Sequence, residues 1–244
     1  KSIDKVISKK KAPLLFNLAE LQAECSKRFK ISPDETLQAA QDLYEKKMTT
    51  YPRTDARVLS TAVAKEVGKN INGLKGYEPV SSFVEKIKTA GLARNIARTS
   101  YTDDAKVTDH YAIIPTGQLT ELRSLTELQK KVFDLIVRRF LSIFYPPAEY
   151  RTVKLSVEVE KEQFFCSEKA IKSPGYLEIA GKMQEEGGEE ENCEGLLSLA
   201  DSIKIGDEVT VGGYAVKEGK TSPPKRYTSG SMVLAMENAG QLIE

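Results

Sequence analysis

The apolar residues of this 244-residue chain change their spacing once, at Pro146-Pro147, and that change constrains the fold more than any other feature. Before the two prolines, apolar positions recur every three or four residues, the period of an amphipathic helix. After them they alternate, the period of a half-buried strand. One regular texture cannot cover both. The sequence therefore predicts an α+β protein, with a helical part and an antiparallel β part.

The helical part carries its own start signals. In "NLAELQAECSKRF", Asn17 reads as an N-cap with Glu20 three residues on, and Leu18, Leu21, Cys25 and Phe29 share a face. In "SPDETLQAAQDLYEKKM", Ser32 caps, Pro33 takes the first helical position and Glu35 closes a capping box. Leu37, Ala40, Leu43 and Tyr44 follow as an apolar stripe, and Lys46 and Lys47 suit the negative helix end. A third helix starts at Ser60 with Val63, Val67 and Ile71, and a fourth spans 81–90. A fifth starts at Thr126 with Gln129, carries Val132, Leu135, Ile136, Phe140 and Ile143, and stops before the prolines. Two helices and then "MTTY" have the outline of a winged-helix unit, a shape common among nucleic-acid-binding proteins.

In the β part, "YRTVKLSVEVE" puts Val153, Leu155, Val157 and Val159 on one face. "EQFFCSE", "GYLEI", "DSIKIG" and "DEVTVGGYAV" are expected as further short strands between Gly, Pro and acidic turns. "EEGGEEENCEG", residues 185–195, reads as a solvated loop. The N-terminal "KSIDKVISKK" also reads as a strand, so the helical domain reads as an insertion into the β domain. Near the end, Thr228 caps a last helix that carries Met232, Val233 and Met236.

Composition narrows the function classes. No apolar run approaches the roughly 20 residues of a membrane span. The basic "KSIDKVISKKKAP" lacks the apolar stretch of a secretory leader, and a first residue other than Met reads as a piece of a longer chain. Cys25, Cys166 and Cys193 are odd in number and form no C-x-x-C pair. That pattern predicts neither a zinc site nor a disulfide framework and fits the cytoplasm. With His110 the single histidine, a multi-histidine metal site is excluded. Residues 1–150 carry 25 Lys+Arg against 18 Asp+Glu, and residues 151–244 carry 11 against 17. A basic first half points to a polyanionic partner, although two solvated faces give the same totals.

Three stretches are candidates for chemistry: Tyr51 with Arg53 in "MTTYPRTDAR", the lone His110 in "DHYAIIPTG", and the basic turn "PPKRYT" at 223–228. Singly, each has a plain structural reading as a strand-end tyrosine, a satisfied histidine and a linker with a helix cap. Together and in this order, "YEKKMTTYPRTDARVLS", "DHYAIIPTG" and "PPKRYTSGSMVLAMENAG" resemble successive motifs of the type IA DNA topoisomerases, closest to the topoisomerase III branch. "APLLFNLAELQAECSKRF" is similar to that family's entry into its helical domain, so the resemblance covers nearly the whole chain.

The resemblance implies that Tyr51 is the nucleophile, with Arg53 and His110 as its active-site partners. Thr54 and Lys106 are expected at the DNA. It also implies a toroid arch: residues 12–146 as the winged-helix-like domain carrying the tyrosine, 1–11 and 147–220 as the hinge domain, and 221–244 as the start of the base domain. The family's Mg2+ belongs to a Toprim domain that this chain lacks, and adjacent Asp103 and Asp104 do not replace it. The partners implied are single-stranded DNA and the remainder of the same polypeptide, with no membrane and no nucleotide. No P-loop pattern is present, in keeping with resealing that draws on the conserved phosphotyrosine bond.

The chemistry suits these residue types. A phenol's reference pKa is about 10, so at neutral pH a tyrosine nucleophile needs help. A guanidinium favours phenolate and forks onto phosphoryl oxygens. In an extended run residues 51 and 53 point to the same side, which would put both on one phosphate. A tyrosine recombinase needs further arginines around its histidine, and a rolling-circle nuclease needs paired histidines. The remaining alternative is a non-catalytic gate module that binds single-stranded DNA. The chain alone is expected to be inactive in relaxation.

Overall fold

The computed structural model describes residues 2–181, 195–199, 202–216 and 218–242. They form two compact units that interleave along the chain. One takes 12–146, 176–181 and 226–242; the other takes 2–11, 147–175 and the described part of 182–225. Among the described residues no helix is long and apolar enough to cross a membrane.

The first unit is helical: α1 (Leu18–Phe29), α2 (Pro33–Glu45), α3 (Thr61–Gly73), α4 (Ser81–Thr89), α5 (Glu127–Ser142) and the single turn α6 (Leu177–Ala180). The last long helix of this unit is α8 (Ser229–Glu237), which follows a one-turn helix of the other unit, α7 (Leu196–Leu199), in the chain. Local chemistry sets the helix starts. Asn17 accepts from the Glu20 N–H and Ser60 from the Val63 N–H, while Ser32 with Glu35 and Thr126 with Gln129 close reciprocal capping boxes. Each cap satisfies N–H groups that the first turn leaves without helical partners.

Helix α5 forms the axis of this unit, burying Val132, Phe133, Ile136, Val137 and Phe140, with α2 and α6 packed on it. Its Arg139 is buried and donates from Nη1 to the Leu14 carbonyl at 2.9 Å. The guanidinium also lies 4.0 Å from the centre of the Phe16 ring. Burial lowers its pKa to about 10. The segment leading into α1 is thereby pinned to the core. At the far end of the chain, α8 lies close on α1: a Cβ at Gly230 would come within 2.9 Å of the Ala23 Cα. The Asn17 amide donates to Glu237 at 2.5 Å.

"GYLEI" departs from the expected strand. It is the turn α6, set between Gly175 and Gly181, which take φ of 51° and 71°. The Tyr176 N–H donates to the Pro146 carbonyl (3.0 Å), Arg138 donates to the Ile179 carbonyl (3.0 Å), and Lys86 pairs with Glu178 (2.8 Å). These tertiary anchors override strand preference, which is context-dependent.

The second unit rests on one antiparallel sheet in the order β1-β2-β3. Its strands are β1 (Ser2–Lys10), β2 (Ala148–Val159) and β3 (Glu162–Ser173). β1 runs against β2 from Ser2 opposite Ser156 to Lys10 opposite Ala148. The β2–β3 hairpin turns on Glu160 and Lys161, with φ of 49° and 78°, the two-residue geometry whose twist matches the flanking strands. Val153 and Leu196 form a small core with Ile3, Leu155 and Leu197, and the Leu197 N–H donates to Glu168 at 2.7 Å.

The described residues of "DSIKIG" and "DEVTVGGYAV" form no strand. Their alternation makes an apolar face, but a strand also needs a neighbour for its backbone groups, and Ile205, Val209, Val211 and Val216 remain exposed. The acidic loop expected at 185–195 lies, apart from Gly195, outside the described residues. Cys166 is disulfide-bonded, contrary to the expectation of no disulfide, whereas Cys25 is free and buried.

Candidate active site

Tyr51 and His110 come together because two short segments are stitched side by side. Lys47 takes a left-handed turn after α2 (φ 59°), and the chain then pairs through Thr49 with Pro115. The Thr50 N–H donates to the Ile114 carbonyl (2.9 Å), and its hydroxyl donates to the Ala112 carbonyl (3.1 Å) and accepts from the Ile114 N–H (2.9 Å). The Thr116 N–H donates to the Met48 carbonyl (2.9 Å), and the Thr116 hydroxyl donates to the Lys47 carbonyl (2.6 Å). The floor of the site is therefore the join of "MTTY" to "AIIPT".

On this floor the Tyr51 ring lies 4.6 Å from the His110 ring and 5.3 Å, edge to face, from Tyr44. Tyr51 is half-buried. The rings bound a cleft of about 550 Å³ whose walls also include Glu45, Thr49 and Tyr111. Burial raises the pKa of the Tyr111 phenol. Tyr44 was expected on the buried stripe of α2, yet it is 43% exposed. The buried face of α2 is instead Thr36, Ala39, Ala40 and Leu43, which turns Tyr44 towards the cleft.

Arg53 does not form part of this wall. The Thr54 N–H bonds to the Pro52 carbonyl at 3.1 Å, so the chain turns tightly at Arg53 instead of running extended. The exposed Arg53 donates from Nη2 to the Gln41 side-chain oxygen on α2 at 3.2 Å. Thr54, expected at the DNA, is 7% exposed. Its hydroxyl donates to the His110 carbonyl (2.8 Å) and accepts from the Ala56 N–H (3.1 Å), so it holds the histidine's backbone against the tyrosine motif. Lys106 is ion-paired with Asp103 at 3.1 Å and does not join the cleft.

The paired acids are also engaged. Asp103 caps the Ala105 N–H at 3.1 Å, and Asp104 accepts from the Thr61 N–H and hydroxyl at 2.8 and 2.6 Å. Those bonds hold the Asp104 carboxyl below its ordinary pKa. Among the described residues no group of three His, Cys, Asp or Glu side chains is placed to hold a metal ion. Sequence reasoning passed over Gln41, Glu45 and Thr49 as site residues. Their one signal was position: Glu45 and Thr49 fall inside the tyrosine motif, and Gln41 lies three residues before Tyr44.

A family model described as DNA topoisomerase matches residues 1–241. The chain belongs to the DNA topoisomerase family. This topoisomerase chain is 37% identical over 243 residues to DNA topoisomerase 3 of Bacillus licheniformis. It is 35% identical over 243 residues to DNA topoisomerase 3 of Bacillus subtilis. Both alignments take in 99% of the chain but 32% of the relative, so the chain spans about a third of the length of the curated relatives it matches. The fold is shared with full-length topoisomerase I of Thermotoga maritima, at a TM-score of 0.59 and 21% identity over 98% of this chain and 37% of that one. The type IA, topoisomerase III-like resemblance carried by "YPRTD" and "HYAIIPT" stands on these matches.

Proposed function

We propose that Tyr51 is the nucleophile of a type IA topoisomerase that cleaves and reseals single-stranded DNA. The observation that carries this reading is the join that sets Tyr51 beside His110 at the mouth of a cleft. The reaction is a reversible transesterification. The Tyr51 oxygen attacks phosphorus and loses its proton, the bond from phosphorus to the 3′ oxygen breaks, and that oxygen leaves as a hydroxyl. Tyr51 then holds the 5′ phosphate. The reverse attack reseals the strand with no nucleotide, after another strand has passed to relax or decatenate the DNA.

Arg53 supplies charge to the phosphoryl oxygens, exchanging its bond to Gln41 for them, and such a preorganised contact is worth roughly 3–4 kcal/mol in the transition state. His110, whose ring lies beside that of Tyr51, orients the scissile phosphate. Thr54 acts by holding His110, and Lys106 contributes to the basic field that draws in the strand. In the finer reading, the helical unit is the winged-helix-like carrier of the nucleophile and the sheet unit is the hinge of the arch. The end of the chain begins the base domain. The Mg2+ of the intact cytoplasmic enzyme is bound by a Toprim domain elsewhere in the polypeptide. Because Asp103 and Asp104 are committed internally, the chain alone acts as a single-stranded-DNA-binding gate module.

The test is adduct formation in the parent enzyme. Tyr51→Phe removes only the attacking oxygen and abolishes the denaturant-stable DNA adduct while leaving noncovalent binding near wild type. Arg53→Lys restores only part of the activity lost in Arg53→Ala, since an ammonium lacks the forked geometry. An adduct that survives Tyr51→Phe sinks the assignment and moves attention to Tyr44 in the same cleft. Tyr101 is the poorer substitute, being buried with its hydroxyl donated to the Ala12 carbonyl at 2.7 Å.

A further inference from the structure

Asn17 is the N-cap of α1, and capping uses only half of its side chain. Its Oδ1 accepts from the Glu20 N–H at 2.9 Å. Its Nδ2 donates to the Asp55 carbonyl at 3.3 Å and to Glu237 on α8 at 2.5 Å. One orientation of the amide satisfies all three partners, because its oxygen only accepts and its nitrogen has two protons to give. The side chain is 1% exposed and stands outside the cleft of Tyr51. A cap needs only the oxygen, so the two donated bonds call for a separate reason.

Both of them lead somewhere. Asp55 ends the "YPRTD" stretch, two residues past Arg53. Beside it, the Leu18 N–H donates to the Thr54 carbonyl at 3.2 Å, and the Thr54 hydroxyl donates to the His110 carbonyl at 2.8 Å. The start of α1 is thus bonded to the tyrosine motif and, through Thr54, to the histidine. On the other side α8 runs antiparallel to α1. Ser229 meets Ser26, with 3.3 Å between hydroxyl oxygens, and Glu237 meets Asn17. Gly230 is buried in this contact, where a Cβ would also press on Ser26 at 2.9 Å. Glu237 follows Gly230 by seven residues, about two turns, and so falls on the same face of α8.

We propose that Asn17 is a positioning residue for the cleavage reaction: it fixes the end of the tyrosine motif through the Asp55 carbonyl, and Glu237 on α8 aims its amide. The inference rests on the reading of Tyr51 as the nucleophile. A bond to a charged acceptor is the stronger kind, so the Glu237 carboxylate decides which way the amide nitrogen faces. The helix α8 thereby acts on the chemistry without reaching the cleft.

The test has two arms. In the parent enzyme the rate of adduct formation is measured at saturating single-stranded DNA, with DNA affinity measured separately. Glu237→Ala slows the saturated rate about fivefold, the size of one net hydrogen bond, with affinity unchanged. Glu237→Gln keeps a carbonyl acceptor and recovers most of the rate. Asn17→Asp keeps the cap but loses both donated bonds, and the rate falls roughly twentyfold. Adding Glu237→Ala to Asn17→Asp slows it no further, since both act on one link. Unchanged rates, losses confined to affinity, or losses that multiply in the double variant overturn the inference. The second arm uses the 244-residue chain and no chemistry: the backbone amide resonances of 55–57 are followed by NMR. Glu237→Ala moves them and Glu237→Gln does not. Resonances that stay fixed overturn the link even where the parent enzyme slows. Resonances that move, with an adduct that survives Tyr51→Phe, keep the link and remove Tyr51 as nucleophile.

Discussion

Gly73, the last residue of α3, makes a sharp test of how the cleft is held. A Cβ built there lies 2.3 Å from the Gly117 carbonyl oxygen and 2.7 Å from its Cα, whereas one built at Gly68 on the same helix meets nothing within 4 Å. A carbon–oxygen contact becomes tolerable at about 3.3 Å, so Gly73→Ala forces the helix end and the 117 loop apart by about 1 Å. Both partners are backbone, and Gly117 is itself held at φ +90° with its own Cβ position 2.9 Å from the Asn70 carbonyl oxygen. Overpacking of this kind costs about 1–3 kcal/mol. Alanine in place of a helical glycine returns about 0.5–1 kcal/mol. The net expectation for Gly73→Ala is a loss of about 0–2.5 kcal/mol, and for Gly68→Ala a gain of about 0.5–1 kcal/mol. At roughly 2–4 °C per kcal/mol for a chain of this size, thermal unfolding followed by helical circular dichroism separates the two variants. Thr116, next to Gly117, bonds to Met48 and Lys47, so Gly73→Ala also slows adduct formation in the parent enzyme. Gly73→Ala unfolding at or above the temperature of Gly68→Ala would refute the close-approach argument.

Other variants probe local terms. Ser32→Ala removes a capping box and costs about 1 kcal/mol at neutral pH. The bonds from the Ser32 N–H and hydroxyl hold the Glu35 carboxyl below its ordinary value of 4.5. That contribution is full above pH 4.5 and fades as pH falls through the lowered pKa, so urea unfolding at pH 7 and pH 3 shows the gap between wild type and Ser32→Ala narrowing in acid. Burial pushes the Cys25 thiol up to about 12. Iodoacetamide at pH 8 therefore leaves Cys25 unmodified until denaturant is added, and prompt labelling of the folded chain contradicts that burial.

What was legible in the sequence was local. The caps at Ser32, Ser60 and Thr126 could be read because a cap and its partner lie within one turn, and the stripe on α5 because its period is strict over four turns. The final β stretches were misread because alternation records only a face. Whether 202–216 pairs depends on neighbours that no local pattern encodes. "GYLEI" failed for a related reason, as its turn is held by Pro146, Arg138 and Lys86 from elsewhere in the chain. At the site, residue types and order pointed to Tyr51, Arg53 and His110. The turn at Arg53, the internal use of Thr54 and the placing of Tyr44 on the cleft are products of packing, and residue identity alone does not disclose them.

The seam between residues 48–50 and 112–116 has a mechanical side. Tyr51 and His110 leave it from adjoining ends, and the backbone bonds across it allow neither to slide past the other. The phenol and the imidazole are therefore carried by the seam as one cargo. On the role proposed for Tyr51, a DNA end tethered to it would ride with His110, and resealing would need a single docking event rather than the reassembly of scattered parts.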